Sequence, residues 1–199
     1  MAKYKTLKYR SEGEYKEKGS KFYGYAQFVS SEKNAKEFLE QIRNEHHKAR
    51  HLCYAYKIGI DKDNAIIRTN DDGEPSNTAG MPILNYIKKY DLSFVVIAVV
   101  RYFGGVLLGK GGLINAYGTA AEEAIKNGKI IKGVERENLN IDLNFSDFSK
   151  VMDILKEKKY KIINQKFDKK CHIKIELPKD DINELKIRLK NFSIDKITV

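Results

Sequence analysis

The sequence predicts an α+β protein in two domains, and three observations predict it. Seven apolar, mostly β-branched residues at 94–100, FVVIAVV, run directly into a glycine-rich stretch and then into a helical pattern. The last third of the chain alternates strand and helix signals in the order strand–helix–strand–strand–helix–strand. Between them, Gly128 and Gly133 end a helix and mark a joint, which places the domains at 1–133 and 134–199. A chain of 199 residues with 42% hydrophobic content has the core material for two such units.

Residues 15–30 mix Lys16, Lys18 and Lys21 with Phe22, Tyr23, Tyr25 and Phe28. The later part reads as a strand and its beginning as the second arm of a hairpin. An edge strand with alternate aromatics packed inward is favoured there over a stacking surface for nucleic acid. Ser31 is placed to cap a helix to about Glu45, in which Ala35, Phe38, Leu39 and Ile42 fall at i, i+3, i+4 and i+7. LCYAYKIG at 52–59 returns to strand, 61–64 turns, and AIIRT at 65–69 is a short strand. DDGEPSNTAG at 71–80 breaks regularity, and Thr78 is the expected cap of a helix over 79–89.

FVVIAVV then reads as a strand buried on both faces. Six glycines lie between Arg101 and Gly118. Gly104, Gly105, Gly109, Gly111 and Gly112 let the main chain turn sharply and approach a partner closely. A strand, a glycine loop and a helix N-terminus together predict an anion site, because free amides point into the loop. Arg101 and Lys110 add positive charge. Gly104 to Gly111 reads GGVLLGKG, which satisfies a nucleotide phosphate loop up to Lys110 and fails where Ser or Thr should hold magnesium.

In the second domain, ENLNIDLNF is a strand, and 147–159 a helix with Phe148, Val151, Met152 and Leu155 on one face. KIINQKF and CHIKIEL are strands joined by a turn at 168–170, and Cys171, Ile173, Ile175 and Leu177 alternate strictly. Asp180 or Asp181 starts a helix bearing Ile182, Leu185 and Leu189, and 194–199 is the last strand. This order is the split βαβ arrangement of ferredoxin-like domains.

The net charge is +10, of which +7 belongs to residues 1–133. Polyanion binding is the natural inference. No apolar run is long enough to span a bilayer and none follows the N-terminal lysines as a signal core, so a cytoplasmic protein without membrane partners is expected. Cys53 and Cys171 lie apart in strand-like contexts and read as buried reduced thiols. His47, His51, Asp72 and Glu74 form the densest titratable set, one that a metal-dependent hydrolase would use. The set lacks the HExxH spacing, and Lys48 follows His47. The acidic loop Asp71, Asp72 and Glu74 is expected to face the basic glycine loop across a cleft; the alternative is that Asp71 and Asp72 cap turns and Glu74 pairs with Arg50, Arg68 or Arg101.

RHLCYAY at 50–56, DDGEPSNTAGMPIL at 71–84 and VVRYFGGVLLGKGGLINAYG at 99–118 together resemble the YigZ/IMPACT family, and KGSKFYGYA at 18–26 resembles its entry strand. The resemblance implies a ribosomal protein S5 domain 2-like fold for 1–133 and a ferredoxin-like domain for 134–199. It implies no agreed enzymatic activity. Eukaryotic members regulate translation by protein binding, and bacterial ones are suspected of binding nucleic acid or the ribosome. Asn77 stands where the family pattern has glycine, Leu107 and Asn115 where it has basic residues, and Lys110 where it has a small one.

The expectation is a non-enzymatic cytoplasmic regulator that binds RNA or the ribosome through the glycine-rich cleft. Arg101 and Lys110 would contact phosphate, helped by Arg50 and Lys21, over a loop built from Gly104, Gly105, Gly109, Gly111 and Gly112. No cofactor, metal or catalytic residue is assigned, and the oligomeric state is left open. A metal-dependent hydrolase and a protein-interaction regulator without RNA contact are the alternatives.

Overall fold

The computed structural model describes residues 3–60 and 64–198, so most of the turn expected at 61–64 lies outside the described residues. The chain is α+β and divides into two compact units, one of Tyr4–Gly133 and another taking the chain from Val134 onward.

In the first unit, β1 (Lys3–Leu7) pairs with β7 (Ile130–Val134) in a two-stranded ribbon. Neither strand is expected from the sequence, since KYKTL and IIKGV show no strict alternation of apolar and polar residues. The main sheet runs β2 (Ser11–Glu17), β3 (Ser20–Phe28), β6 (Val95–Tyr102), β4 (His51–Ile58), β5 (Ile66–Asn70), with all neighbours antiparallel. Lys18 and Gly19 join β2 to β3 at φ 45° and 80°, the two left-handed residues of a tight hairpin turn. The expected edge strand is therefore an interior one: β2 covers the outer side of β3, and Phe22, Tyr25 and Ala26 are buried.

The central strand β6 feeds two cores by simple alternation. Val95, Ile97 and Val99 pack with α2 (Gly80–Lys89) and α3 (Gly109–Lys126), while Val96, Ala98 and Val100 pack with α1 (Glu32–Glu45). Ser31 caps α1, its Oγ accepting from the Asn34 amide at 3.2 Å. Gly24 lets α3 lie on the sheet, since a Cβ there would stand 2.3 Å from the Ala120 carbonyl oxygen.

The second unit runs β8 (Arg136–Leu143), a 3₁₀ turn at 145–147, α4 (Phe148–Glu157), β9 (Lys161–Phe167), β10 (Cys171–Pro178), α5 (Asp181–Leu189) and β11 (Ile194–Thr198). Its sheet order is β11-β8-β10-β9, antiparallel throughout. Cys171, Ile173, Ile175 and Leu177 face Leu139, Ile141 and Leu143 of β8, and Val151, Leu155, Leu185 and Leu189 from the two helices close over them.

Candidate nucleic-acid interface

The acidic loop is tied internally. Asp71 Oδ1 accepts from the amides of Ala79 and Gly80 at 2.9 and 2.8 Å, and its Oδ2 accepts from Asn77 N at 2.8 Å. Asp71, not Thr78, therefore satisfies the start of α2; the Thr78 hydroxyl donates to the Pro75 carbonyl at 2.6 Å. Asn77 makes this possible at φ 62°, the left-handed conformation that asparagine tolerates next best to glycine. Asp72 Oδ2 accepts from Leu52 N and Arg43 Nη2, both at 2.7 Å. The Asp72 carbonyl accepts from His51 Nδ1 at 2.7 Å, so Nδ1 carries the proton.

Glu74 points inward. Its Oε1 accepts from Arg101 Nη1 at 2.7 Å and from the Tyr117 hydroxyl at 2.8 Å. The Arg101 and Glu74 side chains are only 8% and 4% exposed, so this ion pair belongs to the interior. The Arg101 guanidinium also lies near two rings, 5.6 Å from the centroid of Phe22 and 5.4 Å from that of Phe103. Burial pushes the neighbouring Cys53 thiol and Tyr117 hydroxyl well above their ordinary ranges, which leaves both protonated.

The glycine loop has two regimes. Gly104 abuts the β2–β3 turn: a Cβ would stand 1.9 Å from the Gly19 carbonyl carbon, and its amide donates to Ser20 Oγ at 3.1 Å. Gly105 and Gly109 adopt φ 88° and 69° and, like Gly111, meet nothing within 4 Å of a built Cβ. A Cβ on Gly112 would stand 2.9 Å from Leu108 Cβ. The N-terminus of α3 has no side-chain cap and no acidic residue in its first turn, and Lys110 is exposed there.

Two cavities lie side by side at this end of the sheet. One, of about 510 Å³, is lined by Lys48, Arg50, His51 and Arg101 with Leu107. The other, of about 460 Å³, is lined by Lys21, Tyr23 and His46 with Gly19. Tyr102 and Phe103 belong to both walls, and neither wall contains a carboxylate. His46 is held by hydroxyls on both ring nitrogens, Tyr25 at 2.6 Å from Nε2 and Tyr102 at 2.9 Å from Nδ1. Burial lowers its pKa despite the opposing charge of Glu45.

The fold thus brings Lys21, Arg50 and Arg101 to one cleft and leaves Lys110 outside both cavity walls. Arg101 reaches the cleft with its charge already paired to Glu74, which makes it a strut instead of a free phosphate ligand. Lys48 and Phe103 were not singled out by the sequence. An aromatic beside a glycine pair is the one sequence signal that could have found Phe103. His47, His51, Asp72 and Glu74 do not converge on one point: His47 is exposed, His51 bonds the main-chain carbonyl of Asp72, the Asp72 carboxylate is taken by Leu52 N and Arg43, and Glu74 is held by Arg101 and Tyr117. Among the described residues, no group of three or more His, Cys, Asp or Glu side chains is placed to hold a metal ion. Among them, too, no helix is long and apolar enough to cross a membrane.

Comparison with known proteins places this geometry in a lineage. The profile of the Impact N-terminal domain matches residues 18–125, the span that contains the acidic loop, the glycine loop and both cavities. An IMPACT family member of Haemophilus influenzae is 31% identical over 199 residues, covering 100% of this chain and 97% of that protein. IMPACT family member YvyE of Bacillus subtilis is 39% identical over 160 residues, covering 79% of this chain and 71% of its own length. A crystal structure of a hypothetical protein superposes on 100% of this chain and 98% of its own with a TM-score of 0.78 and 27% identity. With a domain profile and full-length relatives in agreement, the chain belongs to the IMPACT family.

Proposed function

We propose that this protein is a cytoplasmic regulator associated with translation that binds RNA, free or on the ribosome, through the cleft between the glycine loop and β3. The observation that carries the reading is the composition of the cleft walls, where Lys21, Lys48 and Arg50 stand without any opposing carboxylate. Asp72 and Glu74 of the adjoining acidic loop are neutralised by Arg43 and Arg101, and Glu45 beside His46 by Arg10, so the surplus is positive. Lys110 and the uncapped amides of α3 extend this potential along the loop. Family membership supports the translational setting, since eukaryotic members regulate translation by protein binding.

The domain assignment belongs to the same proposal. Residues 1–133 form the S5 domain 2-like domain, and residues 134–199 the ferredoxin-like one; the β11-β8-β10-β9 order supports the latter. The test is RNA affinity against salt. The log–log plot falls linearly, and Arg50→Ala or Lys110→Ala makes its slope shallower by about one unit. Binding indifferent to salt and to both substitutions refutes the reading.

A second reading, a protein partner, is favoured by Leu107, which is 84% exposed beside Val106 at 50%. Sedimentation with ribosomes before and after nuclease treatment separates the two. An RNA-held protein is released, and one held by protein stays.

A further inference from the structure

We infer that the cleft takes single-stranded RNA and that Phe103 is the surface on which one of its bases stacks. The inference rests on the RNA-binding reading above and adds the class of RNA and the residue that selects it. The Arg101 guanidinium stands 5.6 Å from the ring centroid of Phe22 and 5.4 Å from that of Phe103. Phe22 and Arg101 are anchored in the core. Phe22 is fully buried with its ring edge-on to Tyr117 at 5.1 Å, and Arg101 is fixed by Glu74, which the Tyr117 hydroxyl also holds. Phe103, beside the guanidinium, lies at the surface and is 53% exposed.

A half-exposed ring offers an open face on which a flat ligand can settle, and the anchored guanidinium beside it is a fixed cation–π partner. Its position fits a polynucleotide better than an isolated small molecule. Phe103 and Tyr102 are the wall shared by two cavities of about 510 and 460 Å³, each within the range that holds a small organic ligand. A base on Phe103 therefore has room for a neighbour on either side. Lys21 on one flank and Lys48 and Arg50 on the other stand ready for the phosphates that join them. Duplex RNA cannot use this surface, because its base faces are stacked on one another; only an unpaired strand offers them.

The chain contains no tryptophan, so Phe103→Trp introduces a sole indole whose emission reports stacking directly. The probes are a single-stranded oligouridylate of about ten nucleotides and a duplex of the same length. The single strand quenches the indole on binding, the duplex binds more weakly, and Phe103→Ala weakens single-strand binding about tenfold. A saturating single strand that leaves the indole emission unchanged overturns the inference. So does an alanine variant that is folded and binds as the parent does. Should the alanine variant fold poorly, the quenching of the indole variant decides alone. Equal, salt-sensitive binding of single strand and duplex leaves the RNA reading standing and removes this one, whereas no binding of either at low salt removes both.

Discussion

The acidic loop at 71–80 and the glycine loop at 103–112 look equally functional in the sequence, and the fold treats them in opposite ways. In the first, every carboxylate is engaged within the molecule: Asp71 by three amides, Asp72 by an amide and Arg43, Glu74 by Arg101 and Tyr117. In the second, one glycine is packed against the hairpin turn, and the rest leave Phe103, Val106, Leu107 and Lys110 at the surface. The lesson is that a charged loop becomes scaffold when the register of the sheet supplies it with internal partners. The register sets His51 opposite Arg101, and with it the Arg101 side chain comes within reach of the loop that follows β5.

The sharpest way to break this comparison is to remove Glu74. Glu74→Ala leaves the buried Arg101 guanidinium uncompensated and is expected to cost about 3–5 kcal/mol in urea unfolding. A loss below about 1 kcal/mol would place the acidic loop with the functional surface after all. Next comes the split within the glycine loop itself. Gly104→Ala, driven into the Gly19 backbone, costs about 3 kcal/mol, whereas Gly111→Ala, facing open space inside α3, gains about 0.5–1 kcal/mol. Equal effects at both positions would mean that the loop has one regime, not two.

Asp71→Ala orphans the amides of Asn77, Ala79 and Gly80 and is expected to cost about 2 kcal/mol; Thr78→Val, at a hydroxyl that does not cap α2, costs less. The reverse order of the two variants would restore Thr78 as the cap. The smallest effect is one of pH. Because burial depresses the folded His46 pKa, the stability linked to this group is full above the ordinary histidine value of about 6.5. It is lost as pH falls through the depressed folded value. Urea midpoints at pH 7 and pH 5 should therefore drop more for the parent than for His46→Gln. A drop of the same size in both would show that the Tyr25–His46–Tyr102 contact carries no such linkage.

Much of the fold was legible because its signals are local. Ile173, Ile175 and Leu177 alternate, Ala35, Phe38 and Ile42 share a helical face, and both patterns correspond to buried surfaces in the structure. The site was legible only in part. Lys21, Arg50 and Arg101 could be nominated from composition, and the first two prove exposed and the third buried. Phe103 was passed over, since nothing near it in sequence shows that a guanidinium two residues back will lie against its ring.

Periodicity and glycine placement by themselves determined most of the α+β order of elements and the two-faced burial of the central strand. These follow from interactions among residues a few positions apart, which any window of the chain displays. Only the tertiary structure decided that Asp71 caps α2, that β3 is an interior strand and that Arg101 is a strut. Each of these depends on strand register and on contacts between residues up to dozens of positions apart, where side-chain chemistry allows several partners and packing selects one.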